Sequence, residues 1–311
     1  MKRIVPNLAF FIVFLAALAG GASAQTTRPS GQESRPSVEI KTLKVAGGVH
    51  MLEGRGGNIG VFAGQDGVFM IDDQFAPVSA QIAAAIAKIS EKPIRFLVNT
   101  HHHGDHTGGN ENFGKSGAVI VAHENVRKHM TADQLERAMR AGREPEVLKT
   151  SLPVVTFKDS VTFHWNDDEV RVIHMDPAHT DGDSIIHFTK TDVIHTGDLF
   201  FNGTYPVIDT AHGGGIDGMI KAADQILALA RETTRIIPGH GPLAGPKDLK
   251  SFRDMLAKVK NDVTALIDSG KSVDEVVALK PTKDLDEIWG RGFMKPDAFV
   301  KNVATMLSGP R

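Results

Sequence analysis

Apolar and polar positions along the chain fall into distinct regimes. Leu8 to Leu18 is an unbroken apolar run behind Lys2 and Arg3, and residues 25–37 are polar and carry proline, glycine and serine. From Val38 onward, short apolar clusters alternate with turn residues as far as the C-terminus. The runs Val68–Ile71, Phe96–Val98, Val119–Val121 and Arg171–His174 are short and rich in β-branched and aromatic residues, which predicts strands. Ser184–Phe188 and Val193–Thr196 flank the polar Thr189-Lys190-Thr191 and predict an antiparallel hairpin. Ser79–Ile89 places Ile82, Ile86 and Ile89 on one side at helical spacing. Further helices are predicted over Ile220–Ala230 and over Pro246–Ile267, the latter opened by a proline in its first turn. Val273 to Leu307 continues in helical composition. Such mixing of strands and helices predicts sheets covered by helices, an α/β protein. No fixed-period repeat divides it, so residues 38–311 are expected to form one domain with a C-terminal helical extension.

The N-terminal regime has its own chemistry. A basic start, a short apolar run and the small residues Ala22-Ser23-Ala24 form the pattern of a cleaved secretory signal. The run is short for a spanning helix, which needs about 20 residues. Residues 1–24 are therefore expected to be removed and residues 25–37 to form a flexible leader. The mature protein would be periplasmic or secreted, with no stable membrane association.

Composition narrows the chemistry further. The 311 residues are 41% hydrophobic and 23% charged with a formal net charge of -2, so no global field favours nucleic acid or anionic membranes. A small-molecule substrate is the expected partner. The chain contains no cysteine, which removes disulfides, thiolate nucleophiles and thiolate metal ligands together. Any metal must be held by His, Asp or Glu.

The segment Arg95-Phe-Leu-Val-Asn-Thr-His101-His102-His103-Gly104-Asp105-His106 carries an apolar strand into a polar turn. His101, His103, Asp105 and His106 read H-x-H-x-D-H. Imidazole nitrogen and carboxylate oxygen suit zinc, and four such groups in six residues can serve two neighbouring ions. Three later segments complete a series: Ala178-His179-Thr-Asp-Gly-Asp183, His195-Thr-Gly-Asp198-Leu-Phe and Pro238-Gly-His240-Gly-Pro242.

In this order, over roughly Val38 to Pro242, the motifs resemble the metallo-β-lactamase superfamily. The resemblance implies a four-layer αβ/βα sandwich. It implies one zinc ion on His101, His103 and His179, a second on Asp105, His106 and His240, and Asp198 bridging the two. It also implies a carboxylate at Asp72 that orients a ligand histidine, with Asp73 the competing candidate. Two cations near one water favour its deprotonation, so the expected activity is a dinuclear zinc hydrolase using a metal-bridging hydroxide on an ester, lactone, thioester or amide bond. Asp105 is the expected proton carrier for water and leaving group.

Other positions remain candidates of a weaker kind. His102 should point away from the metals by alternation. His123 is a possible substrate-side histidine, as is His212 beside a glycine-rich, flexible stretch. Tyr205, the only tyrosine, could hydrogen-bond a substrate or simply pack. Gly56-Gly57 fits either a mobile hairpin over the site or a tight turn. Many β-lactamases of this fold place cysteine at the position of Asp198 and lysine three residues later, whereas here Asp198 and Phe201 stand there. Antibiotic hydrolysis is thus an alternative rather than the main expectation, beside a non-catalytic zinc-binding protein and a di-iron oxidoreductase.

Overall fold

The computed structural model describes residues 38–142 and 149–309. The expected signal and leader, residues 1–24 and 25–37, lie outside the described residues. Val38–Arg311 clusters as one compact unit. Among the described residues no helix is long and apolar enough to cross a membrane.

The chain runs β1 (Lys41–Ala46), β2 (Val49–Glu53), β3 (Ile59–Gly64), β4 (Gly67–Ile71), α1 (Ser79–Ala87), β5 (Ile94–Val98), α2 (Gly104–Thr107), α3 (Asn110–Lys115), β6 (Val119–His123), α4 (Glu124–Arg140) and β7 (Val155–Phe157). It continues through β8 (Ser160–Trp165), β9 (Asp168–His174), β10 (Ser184–Phe188), β11 (Val193–His195), α5 (Ile216–Leu229), β12 (Arg235–Ile237), α6 (Pro246–Asp268), α7 (Val273–Ala278), α8 (Asp286–Trp289) and α9 (Pro296–Leu307). Strands β1 to β7 form a seven-stranded sheet in chain order, and a five-stranded sheet runs β12-β11-β10-β9-β8. The first sheet is antiparallel up to β4 and parallel from β4 to β7. In the second only β11 and β12 are parallel.

Alternation within the strands builds the layers. In β4, Phe69 and Ile71 face the second sheet, where Phe69 meets Phe188 edge-on at 6.4 Å. Their neighbours Val68 and Met70 face outward beneath Ile82 and Ile86 of α1. In the second sheet Ile186 and Val193 point inward, while Ile185, Ile194 and Ile236 lie under the α5–α6–α9 layer. A strand buried on both faces reads as a continuous apolar run, and β4 is such a strand. The result is the αβ/βα sandwich of four layers.

Several elements differ from the sequence reading. Helix α5 begins at Ile216, four residues before the expected Ile220, with Gly215 at its N-cap. The region Val273–Leu307, expected to be helical, is divided into three helices. Lys280 in the left-handed region (φ 53°) follows α7, Gly290 closes α8, and Pro296 can only sit in the first turn of a new helix. The polar α4 carried too few apolar positions to be seen.

Tyr205 requires a correction. Its ring is 1% exposed and stacks on Phe299 at 4.6 Å, and its hydroxyl donates to Asp286 Oδ1 at 2.8 Å. Of the two readings, substrate contact or packing, the structure shows packing: the side chain ties the loop after Asp198 to helices α8 and α9. Tyr205→Phe should lower unfolding free energy by about 1–2 kcal/mol, the value of one buried hydrogen bond. Urea denaturation measures this, and metal content should stay that of the unaltered protein.

Candidate metal centre

The site lies where loops from both sheets meet, past the C-terminal ends of β4, β5, β9, β11 and β12. Ligands gather at this edge of α/β sheets because the backbone there is free to turn toward them. Hydrogen bonds sew the loops together: Asn58 N to Gly239 O at 2.7 Å, Ser184 N to Thr100 O at 2.9 Å, and Asp73 N to His106 O at 2.9 Å. Asn58 also donates its amide to the carbonyls of Pro238 (2.9 Å) and Gly241 (2.8 Å), so the loop before β3 holds the loop that carries His240.

Side chains of His101, His103, His179 and Asp198 converge, as do those of Asp105, His106 and His240, with ligand atoms within 4.8 Å of one another in each group. Asp198 lies between the groups. Its Oδ2 is 3.5 Å from His179 Nε2 and 3.9 Å from His101 Nε2, while its Oδ1 is 3.1 Å from His106 Nε2 and 3.4 Å from His240 Nε2. Asp105 Oδ2 completes the second group, 3.3 Å from His240 Nε2 and 3.6 Å from His106 Nε2.

The proton positions follow from the partners. Thr100 Oγ1 gives its single proton to Asp72 Oδ2 at 2.7 Å, so His101 Nδ1 must donate to that hydroxyl at 3.0 Å, leaving Nε2 bare. Bare it is: His101 Nε2 is buried with no hydrogen-bond partner among the described residues, as is Asp198 Oδ1. His179 Nδ1 donates to Val207 O at 2.8 Å and His103 Nε2 donates to Asp209 Oδ2 at 2.8 Å. With the protons so placed, the two rings meet at His179 Nε2 and His103 Nδ1, 2.9 Å apart. The same two nitrogens lie among the donor atoms that converge with His101 Nε2 and Asp198. The donor set therefore fits a metal ion, and nitrogen with carboxylate oxygen suits zinc.

Electrostatics divide the site. Burial, aided by neighbouring imidazoles, holds His101 well below the ordinary histidine range, and burial brings His179 to about 4 against the pull of Asp198. These rings are neutral and ready to bind. His106 and His240 differ. Burial opposes their protonation, yet Asp198 and Asp72 raise His106 well above normal, and Asp198 with Asp105 raises His240 to about 9. A field that favours extra protons on two imidazoles favours a divalent cation between them equally.

Asp72 supports the second group: its Oδ2 accepts from His106 Nδ1 at 2.8 Å, and its Oδ1 from Thr100 N at 2.8 Å. Asp73, the competing candidate, instead accepts from Gly109 N at 2.8 Å. His102 turns away from both groups, against the rings of His103, His129 and His212 at 4.6–4.8 Å. His123 stacks on His174 at 3.7 Å and caps α4. His212 Nδ1 donates to Asp209 Oδ2 at 2.7 Å, and its side chain is 33% exposed. The glycine run beside it is not loose either, since a Cβ on Gly214 would lie 2.4 Å from His179 O.

Sequence reasoning missed Asp183 and Asp209. Asp183 accepts from the amides of His179 (2.7 Å) and Thr180 (2.8 Å) and from the Thr180 hydroxyl (2.6 Å), so it shapes the His179 turn. Its place in the His179 motif was the available signal. Burial would raise the Asp209 carboxyl, but hydrogen bonds from His103 and His212 outweigh it and hold the group at about 2. No local pattern announced it.

The metallo-beta-lactamase superfamily description matches residues 52–240, so the chain belongs to that superfamily. Among curated proteins it is similar to a linear primary-alkylsulfatase of Pseudomonas sp., 25% identical over 251 residues, covering 68% of this chain and 47% of that protein. It is also similar to a 2,4-dinitroanisole O-demethylase subunit alpha of Nocardioides sp., 27% identical over 148 residues, covering 47% of this chain and 42% of that one. A hydroxyacylglutathione hydrolase of Pelagibacter ubique is 26% identical over 149 residues, covering 47% of this chain and 52% of that one. The chain thus spans about half the length of these relatives. The fold is shared with the sec-alkyl sulfatase PisA1 (TM-score 0.66, 18% identity, 88% of this chain and 51% of that one). It is shared as well with a metallo-beta-lactamase from Pontibacter korlensis (TM-score 0.56, 16% identity, 70% of this chain and 99% of that one).

Two glycines test this close packing. A Cβ on Gly239 would lie 2.1 Å from Asp198 Oδ1, and one on Gly57 would lie 2.1 Å from His106 Cε1, whereas Gly215 has open space. Gly57→Ala and Gly239→Ala should each reduce the metal retained through purification, while Gly215→Ala retains the wild-type amount. Elemental analysis beside circular dichroism decides it; full retention in both crowded variants contradicts the geometry.

Proposed function

We propose that the chain is a dinuclear zinc hydrolase that cleaves an ester, lactone, thioester or amide bond of a small molecule. The observation that carries this reading is Asp198, whose two oxygens face two separate donor groups. One zinc would be held by His101, His103, His179 and Asp198, and the other by Asp105, His106, His240 and Asp198. When bound, the pair supplies an acidified water and positive charge for a developing oxyanion. Residues 1–24 are proposed as an export signal, which places the mature protein in the periplasm or outside the cell.

The chain's own residues supply orientation and proton transfer. Asp72 and Thr100 fix the His106 and His101 rings, and Val207 and Asp209 fix His179 and His103. Asp105 is the ligand-group carboxylate with most access to solvent, 28% exposed against 5% for Asp198. It is therefore placed to accept a proton from the attacking water and return it to the leaving group. Phe201 stacks on His240 at 5.1 Å with planes 16° apart, which gives that wall of the site an apolar face. An aromatic ring there offers no cation to a substrate carboxylate, and this argues against β-lactams as preferred substrates. Relatives named for alkyl sulfates and acylglutathiones support hydrolysis as the reaction class without choosing among esters.

Asp105→Asn should reduce kcat/KM roughly a hundred- to ten-thousand-fold at matched zinc content, because asparagine can contact a metal but can neither accept a proton from water nor pass one on. Across esters of graded leaving-group pKa, the deficit should grow as the leaving group worsens. A deficit of constant size would make Asp105 a ligand alone, and no deficit would remove the proposed mechanism. A colourless zinc protein inert to the whole panel would point to metal binding without catalysis, and visible iron absorption to redox chemistry.

A further inference from the structure

The first donor group depends on two rings that offer it opposite nitrogens, Nε2 of His179 and Nδ1 of His103. His179 must carry its proton on Nδ1, and His103 on Nε2. The tautomers of a free imidazole interconvert readily, so each needs an acceptor that holds the chosen proton. Both acceptors come from one loop. Val207 O takes the His179 proton, and Asp209 Oδ2 takes the His103 proton, each at 2.8 Å.

Asp209 is itself held on every side. Its amide donates to His179 O at 2.9 Å, and its own carbonyl accepts from Gly214 N at 2.8 Å. Oδ1 accepts from the amides of Ala211 (3.1 Å) and His212 (3.2 Å), while Oδ2 also accepts from His212 Nδ1 at 2.7 Å. A carboxylate gripped in this way has little freedom to leave His103. The second donor group draws its support from Asp72 at the end of β4, a separate part of the chain.

We propose that Asp209 is a positioning residue: it locks His103 with Nδ1 aimed at the first metal position and so sets the affinity of that position and not of the second. This rests on the dinuclear reading above but not on catalysis. A rival use of the same atoms exists, because His102 Nε2 lies 4.0 Å from Asp209 Oδ2 and the two residues with His103 could surround a third cation. The 2.8 Å separation of His103 and Asp209 is that of a direct charge-assisted hydrogen bond and favours the positioning role.

The test titrates metal-free full-length protein with zinc against a chelator, for wild type, Asp209→Ala and Asp209→Asn. Loss of such a supporting carboxylate typically weakens metal binding 10- to 100-fold. In the alanine variant one of two binding steps should weaken by that factor while the other stays near wild type. The asparagine variant, which retains an acceptor oxygen, should fall between. In 15N-histidine NMR of the metal-free proteins, His103 should be a single Nε2–H tautomer in wild type and a mixture in Asp209→Ala. A purely structural role would not move that signal. Wild-type affinity at both steps, equal weakening of both, or an unchanged His103 tautomer overturns the proposal. So does a third zinc equivalent in wild type that disappears in His102→Ala. Should circular dichroism show the alanine variant unfolded, the asparagine variant decides by the same asymmetry. A wild-type protein that binds two zinc ions yet cleaves nothing leaves the proposal intact, whereas one that binds none overturns both readings.

Discussion

Buried carboxylates and lone pairs cannot face one another in a protein interior without positive charge among them. Asp198 is 5% exposed, its Oδ1 has no hydrogen-bond partner among the described residues, and on one side it faces His101 and His179, whose Nε2 atoms converge on it. Leaving such groups unpaired costs several kcal/mol each, so an arrangement this dense makes physical sense around cations. The chain's surplus of oxygen and nitrogen donors at one sheet edge is the constraint to which the rest of the structure answers.

That constraint explains features far from the ligands. The loops must approach closely, hence a glycine at 57 against the His106 ring and another at 239 against Asp198. Rings must present the correct nitrogen, hence the hydrogen bonds they donate to Thr100, Asp72, Val207 and Asp209 behind them. The loops must not drift, hence Asn58 bound to the His240 loop and Asp183 beneath the His179 turn. Two sheets packed through Phe62, Phe69 and Phe188 give these loops a rigid base, and helices α5, α6 and α9 shield the outer face of the second sheet.

Legibility in the sequence followed locality. His101, His103, Asp105 and His106 share six residues, and His179, Asp198 and His240 each follow a strand in a recognisable turn, so the donor groups were readable from the chain. Strands buried on both faces were readable as apolar runs. Asp209 was not, because its partner His103 lies 106 positions away and the contact exists only after folding. Tyr205 leaves substrate contact and packing both open in the sequence for a related reason: only the fold brings Asp286 and Phe299 to it. The C-terminal region reads as helical throughout because composition persists through it, while the breaks between its three helices depend on a left-handed residue and on a proline whose effect is local.

Anomalous diffraction at the zinc absorption edge, from crystals of zinc-loaded full-length protein, tests the central claim most directly. The account predicts two peaks per chain on opposite sides of Asp198, one within bonding distance of His101, His103 and His179, the other of Asp105, His106 and His240. A single peak, or a pair located anywhere else in the fold, would contradict it.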